Sequence, residues 1–194
     1  MDIAGHIACA VKVERLRRGW SLEELAARSS VSRAMISKIE RQASTPTAVL
    51  LARLANALGV TLSSLMFEQQ APGARLTAVG EQARWRDPAS GYTRRMVSAA
   101  RQEGDVEIVA VELPAGARVR FAAAGTLCID GQVLLLQGRL QMTLGAEVLA
   151  LEPGDCARVA IHLEHELHNP GDDAARYLVV TRRLPLPRRA APKA

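Results

Sequence analysis

A small all-α unit followed by an all-β unit is the fold class this sequence predicts. Three observations carry it. Up to residue 66, apolar side chains recur at the i, i+3, i+4 spacing of amphipathic helices. From residue 92 they fall instead into short β-leaning runs separated by Gly, Pro, Asp and Asn. Charge divides in the same way: residues 1–66 carry nine Lys/Arg against five Asp/Glu, residues 67–181 eleven against fifteen, and residues 182–194 five against none. Positive charge gathered in the first segment and the tail suits phosphate contact there and not in the middle.

The 194 residues are 48% hydrophobic but only 3% aromatic, so two small cores must be packed from aliphatic side chains. No run of about 18 apolar residues exists, so no membrane contact is expected. The first residues lack a basic segment followed by an apolar one, so no secretory signal is expected. Three cysteines (Cys9, Cys128 and Cys156) without close spacing do not make a disulfide scaffold, and a cytoplasmic location is expected. Cys128 and Cys156 are expected to be buried packing residues.

The first helix is expected over residues 4–18, with Ile7, Val11 and Leu16 inward and Gly19 closing it. Ser21 then caps a helix whose Leu22, Leu25 and Ala26 share a face. After a turn at Ser29 to Val31, Ser32 caps the next, with Met35, Ile36 and Ile39 inward. That leaves Arg33, Ala34, Ser37 and Lys38 outward, and the pair reads as a helix-turn-helix. Thr47 caps a fourth helix carrying Leu50, Leu51, Leu54, Ala55 and Leu58, closed by Gly59. A fifth runs from Thr61 to Phe67. Five helices are enough to bury their apolar stripes against one another.

Gly19-Trp20-Ser21-Leu22-Glu23-Glu24-Leu25-Ala26, Val31-Ser32-Arg33, Ile36-Ser37-Lys38-Ile39-Glu40 and Thr45-Pro46-Thr47 together resemble the phage-repressor-like (XRE/Cro) DNA-binding domain over residues 5–66. The resemblance implies that residues 32–41 form the recognition helix, its N-terminal end in the major groove of double-stranded DNA. Arg33 and Lys38 are then the first candidates for base-edge contact, with Ser37 and Ala34 beside them. Ser21, Ser32 and Thr47, at helix N-termini, together with Arg41 and Arg18, are candidates for phosphate. The resemblance also implies a structural ion pair between Arg15 and Glu40. Two departures stand out: Ser30 and the Arg41-Gln42 step occupy positions where the family carries glycine.

Residues 68–91 read as a linker that begins the second domain, with Leu76 and Val79 as early strand signals. Strands are expected at 93–98, 106–113, 119–121, 132–137, 140–144, 148–151, 156–161 and 177–181, in a sandwich or barrel. Residues 183–194 read as a basic Pro/Arg-rich tail.

Glu112-Leu113-Pro114-Ala115-Gly116, Leu136-Gln137-Gly138-Arg139-Leu140, Leu151-Glu152-Pro153-Gly154-Asp155 and His165 with Asn169-Pro170-Gly171 resemble a cupin, a double-stranded β-helix (jelly-roll) barrel, over residues 106–181, within a domain expected over 92–182. The resemblance places the family's metal ligands on Ala122, Ala124 and Gly131, which cannot bind a metal, and leaves His165 alone. Neither His162 nor His168 would share its side of a strand, although a turn near 161–164 could change that for His162. No metal site and no cofactor are expected. Phe121, Ala122, Ala124, Gly131 and His165 are instead candidates for an organic ligand pocket.

Together these readings predict a homodimeric transcriptional regulator of the XRE type, expected to be a repressor. Residues 1–67 would bind an operator that is an inverted repeat, and the cupin would bind a small-molecule effector, dimerise, or both. Two other readings stay open: a metal-dependent cupin isomerase or dioxygenase tethered to DNA, and a constitutive repressor with a purely structural cupin. No acid–base pair, nucleophile elbow or phosphate loop is present, so the chain is not expected to be an enzyme.

Overall fold

The computed structural model describes residues 2–68, 75–99, 105–123, 129–159 and 163–183. Five helices come first: α1 (Ile3–Arg17), α2 (Leu22–Ser29), α3 (Arg33–Glu40), α4 (Ala48–Leu58) and α5 (Leu62–Met66). Hydroxyl caps open the last four. Ser21 Oγ accepts from the Glu24 N–H while the Glu24 carboxylate accepts from the Ser21 N–H. Ser32, Thr47 and Thr61 accept in the same way from Met35, Leu50 and Ser64. Each such cap contributes about 1 kcal/mol.

The inner row of α1 is Ile7, Ala8, Val11 and Arg15. Leu16, expected inward, is 55% exposed. One residue turns a helix by about 100°, so the row set by Ile7, Val11 and Arg15 carries its neighbour outward. Ser30 (φ 54°) closes α2 and Gln42 (φ 57°) follows α3 in left-handed backbone, at the two places where the sequence lacks the family's glycine.

Among the described residues ten strands follow: β1 (Arg84–Arg86), β2 (Thr93–Ser98), β3 (Val106–Leu113), β4 (Arg118–Phe121), β5 (Ile129–Gln137), β6 (Leu140–Leu144), β7 (Glu147–Leu151), β8 (Cys156–Val159), β9 (His165–His168) and β10 (Ala175–Arg183). They form an antiparallel six-stranded sheet, β1-β2-β3-β10-β5-β8, and a four-stranded sheet, β4-β9-β6-β7. Period-two alternation turns Glu107, Val109, Val111 and Leu113 of β3 inward. That row puts three apolar side chains and one carboxylate on the inner side of the barrel.

Two tight approaches hold its lower end together. Gly138 has φ 81°, and a Cβ there would lie 2.8 Å from the Ala174 carbonyl oxygen. Only glycine lets the β5–β6 turn come so close to β10. Asn169 is fully buried, and its amide donates to the carbonyls of Leu113 (3.0 Å) and Asp173 (2.8 Å). That ties the end of β9 to the end of β3.

Three expectations need correction. Leu76 and Val79 form no strand and are 80% and 61% exposed; the entry strand is β1, whose Trp85 is buried. Cys156 is exposed, because it takes an outward position on β8. His165 lies in a strand, β9, that is absent from the eight runs expected as strands. Cys128, residues 160–162 (with His162) and the tail beyond Arg183 lie outside the described residues.

The two units share one buried apolar cluster, running from Ile7 through Met66, Phe67 and Trp85 to Tyr177. Polar ties cross the boundary as well. Asp87 Oδ1 accepts from the Ala48 N–H at the start of α4 (2.9 Å), and the Ser63 hydroxyl of α5 donates to Glu107 Oε1 (2.7 Å). The Asn56 amide reaches the carbonyls of Ala122 and Ala123 (3.4 and 3.2 Å). The helical unit therefore sits on the mouth of the barrel.

Candidate DNA-reading face and barrel cavity

Ile36 and Ile39 are fully buried and set the roll of α3. The opposite side then presents Ser32, Arg33, Ala34 and Lys38 to solvent, with Ser37 half-buried and Arg41 exposed after the helix end. Arg33 bridges to Glu23 of α2 (2.7 Å), with both side chains more than half exposed. The hydrogen bond from Arg33, together with Coulombic attraction, holds the Glu23 carboxyl below its usual range. Arg41 turns back, its Nε donating to the Ser37 carbonyl (3.2 Å). Arg18 is held by Glu14. The oxygens of Ser21, Ser32 and Thr47 already accept backbone N–H groups as caps, and those helix starts keep the positive end of the dipole.

Beneath this face lies the expected ion pair. Arg15 Nε and Nη2 meet Glu40 Oε1 and Oε2 at 2.7 and 2.8 Å, and Nη1 donates to the Trp20 carbonyl (2.8 Å). Both side chains are only 9% exposed. The hydrogen bond to Glu40 is the main reason the Arg15 pKa lies above its ordinary value. The two planar forks join α1 to the C-terminal end of α3, which fixes α3 against the bundle.

The second feature is a cavity of about 110 Å³ between the barrel mouth and α4–α5. Its barrel side is largely apolar, with Val133, Met142, Val159, Leu167 and Val179, and its helical side is formed by Ala52, Asn56 and Ser63, among others. Of the residues expected here, Phe121, Ala122 and His165 line it. Gly131 does not: it pairs with Thr181 and Val159, which do line it, and has no side chain to reach in. Ala124 lies outside the described residues.

His165 stacks on Phe121 (ring centroids 5.1 Å apart), and its Nδ1 lies 3.0 Å from the Leu163 carbonyl. Burial lowers its pKa despite that hydrogen bond, so the ring is neutral at pH 7. With the proton on Nδ1 toward the carbonyl, Nε2 is left as an acceptor. His168 faces the other side of β9, against Gln141 (3.1 Å). Glu164 and Glu166 flank His165 in sequence but pair with Arg120 and Arg118, so they form no acid–base set with it. Asp130 is paired with Arg158. Among the described residues no three His, Cys, Asp or Glu side chains converge as a metal site would require.

The most polar part of the cavity wall was not anticipated. Arg94 is 7% exposed; its Nη1 donates to the Tyr92 hydroxyl (2.8 Å), its Nη2 to Ser63 Oγ (3.3 Å), and its Nε–H has no acceptor among the described residues. Burial opposes its charge, but Coulombic attraction to Tyr92 and Glu107 and the hydrogen bond to Tyr92 outweigh that and raise its pKa. In Thr93-Arg94-Arg95-Met96 it passes for a surface cation. The signal that identifies it is alternation: Tyr92, Arg94 and Met96 share one face, and the two outer members are buried.

Comparison with known proteins agrees with this architecture. Residues 11–65 match the helix-turn-helix family model HTH_3, and residues 132–181 match the cupin domain model Cupin_2. The chain is 24% identical over 176 residues to the HTH-type transcriptional regulator SutR of Escherichia coli (strain K12), covering 91% of this chain and 94% of that protein. Its fold is similar to a crystal structure of an HTH_3 family transcriptional regulator from Vibrio cholerae, with a TM-score of 0.75 and 22% identity over 93% of this chain and 96% of that one. Among the described residues no helix is long and apolar enough to cross a membrane. The chain thus joins an XRE-type helix-turn-helix domain to a cupin domain, the domain pair of a transcriptional regulator.

Proposed function

We propose that the protein is a homodimeric repressor that reads an inverted-repeat operator through α3 and responds to a small molecule held in the barrel cavity. The observation that carries the first half is the exposed row Ser32, Arg33, Ala34 and Lys38 at the free side of a helix whose other side is locked by Ile36, Ile39 and the Arg15–Glu40 pair. Arg33 and Lys38 donate to guanine edges, Ser37 and Ala34 touch neighbouring base edges, and Ser21, Ser32, Thr47 and Arg41 meet phosphate. One such unit spans few bases, so two copies on half-sites about one helical turn apart supply specificity. Occupancy of the operator is enough to block transcription, which makes repression the simplest direction. The cavity under α4–α5 gives an effector contact with both units at once, and so different affinity in two arrangements of them.

The test is selection of binding sites for the purified protein from random duplex DNA, followed by salt titration on the selected site. An inverted repeat whose binding weakens with Arg33→Ala mainly at one base position supports the reading. Only unselective, steeply salt-dependent binding overturns it.

A further inference from the structure

We infer that the effector is a short-chain carboxylate, its head group taken by Arg94 at the boundary between the two units and its apolar body by the barrel. The inference rests on the effector reading above. Three observations converge on it. Arg94 lines the cavity and is buried, and its enclosed Nε–H has no acceptor among the described residues. A buried donor left unpaired is costly, and a carboxylate oxygen is the acceptor a guanidinium takes best. Val133, Met142, Leu167 and Val179 of the barrel wall offer an alkyl body only dispersion and burial. The volume of about 110 Å³ sets the length. An apolar cavity of about 150 Å³ holds the six carbons of benzene, so this one limits the alkyl body it buries to about four carbons.

The head-group site is built by both units. Ser63 of α5 accepts from Arg94 and donates to Glu107, so the guanidinium that meets the ligand is also the one that touches the DNA-binding half. A carboxylate on Arg94 competes with Ser63 for it and loosens that contact. Glu107 lines the same wall, so an α-amino group on the ligand would find an anion there. Plain acids and amino acids therefore share the head-group chemistry and differ at Glu107.

The test uses the full-length protein with butyrate, valerate, 2-aminobutyrate, butyramide and butylamine as probes. Thermal unfolding and calorimetry read affinity, and the ¹⁵N–¹H resonance of Arg94 Nε reads the contact in the unaltered chain. The expected result is binding of the carboxylates, a shift of that resonance by them and not by butyramide, and at least tenfold weaker binding in a folded Arg94→Lys variant. Preference for 2-aminobutyrate over butyrate assigns the head group to an amino acid; the reverse order assigns it to a plain organic acid. Equal binding of butyramide or butylamine without the resonance shift overturns the carboxylate and leaves an effector cavity standing. If no probe of any class binds or moves the resonance, the carboxylate and the effector cavity both fall.

Discussion

Replacing Arg15 by alanine removes more than a charge. The pair it forms with Glu40 has two short N–O contacts, 2.7 and 2.8 Å, and side chains 9% exposed. The substitution leaves the Glu40 carboxylate without its partner and the Trp20 carbonyl without the 2.8 Å donor of Arg15 Nη1. Breaking a buried pair from one side costs about 3–5 kcal/mol. Because a little solvent reaches this pair, the lower end applies, about 3 kcal/mol. For a chain of this size each kcal/mol is worth about 2–4 °C, so the midpoint should fall by roughly 6–12 °C. The assay is circular dichroism at a helix-sensitive wavelength during heating, which follows α1 to α5. The double variant Arg15→Met/Glu40→Leu removes both charges, and it should recover most of the loss because neither partner is left buried alone. An Arg15→Ala protein that melts with the parent would refute the reasoning, as would a double variant less stable than the single one.

Three further outcomes are expected. Ser30→Gly and Gln42→Gly relieve left-handed backbone at φ 54° and 57°, and each should raise stability by about 1 kcal/mol in denaturant titration; a loss at either position would show that the side chain contributes more than its backbone costs. His165 has a lowered folded-state pKa, so its contribution is full above the unfolded value of about 6.5 and is lost as pH falls from there through the folded value. Melting curves between pH 8 and 5 should fall more steeply for the parent than for His165→Gln, with His168, also lowered by burial, leaving part of the slope in the variant; parallel slopes would sink this. On DNA, Glu23→Gln frees Arg33 from its 2.7 Å partner and should tighten operator binding in fluorescence anisotropy, whereas Arg33→Ala should cost about 1–3 kcal/mol at one base position; an unchanged Arg33→Ala profile would remove Arg33 from the reading face.

Local chemistry was readable where it repeats. Hydroxyl residues ahead of apolar periods located the N-termini of α2 to α5, and alternation located β2, β3 and β6 residue by residue. What failed did so for physical reasons. Leu16 looks like a core residue until Arg15 is known to turn inward and take its pair. Strand β1 is three residues long with arginines on both sides of Trp85, too short for any alternation to register. Strand β9 mixes histidines and a glutamate around Leu167, so its one buried member gives no period. On β8 Cys156 is exposed, against the general burial of cysteine, because strand parity decides its side. The cavity was expected in the barrel from Phe121, Ala122 and His165, yet half of its meaning lies in Ser63, Arg94 and Glu107. Those three meet only when α5 docks on the barrel mouth, a tertiary event that no local pattern announces.

The carboxylate of Asp87 makes the helical unit depend on the barrel. It belongs to the turn that precedes the barrel's second strand, yet it accepts from the Ala48 N–H and so completes the start of α4, the helix that follows the recognition helix. A helix start that borrows its anion from another unit is not self-sufficient. Cutting the chain after residue 67 would strip that carboxylate from α4, the Glu107 acceptor from Ser63, and the cover from Met66 and Phe67. The helical unit is therefore no detachable cartridge that could be grafted freely onto another barrel: its own architecture is finished by the unit it sits on.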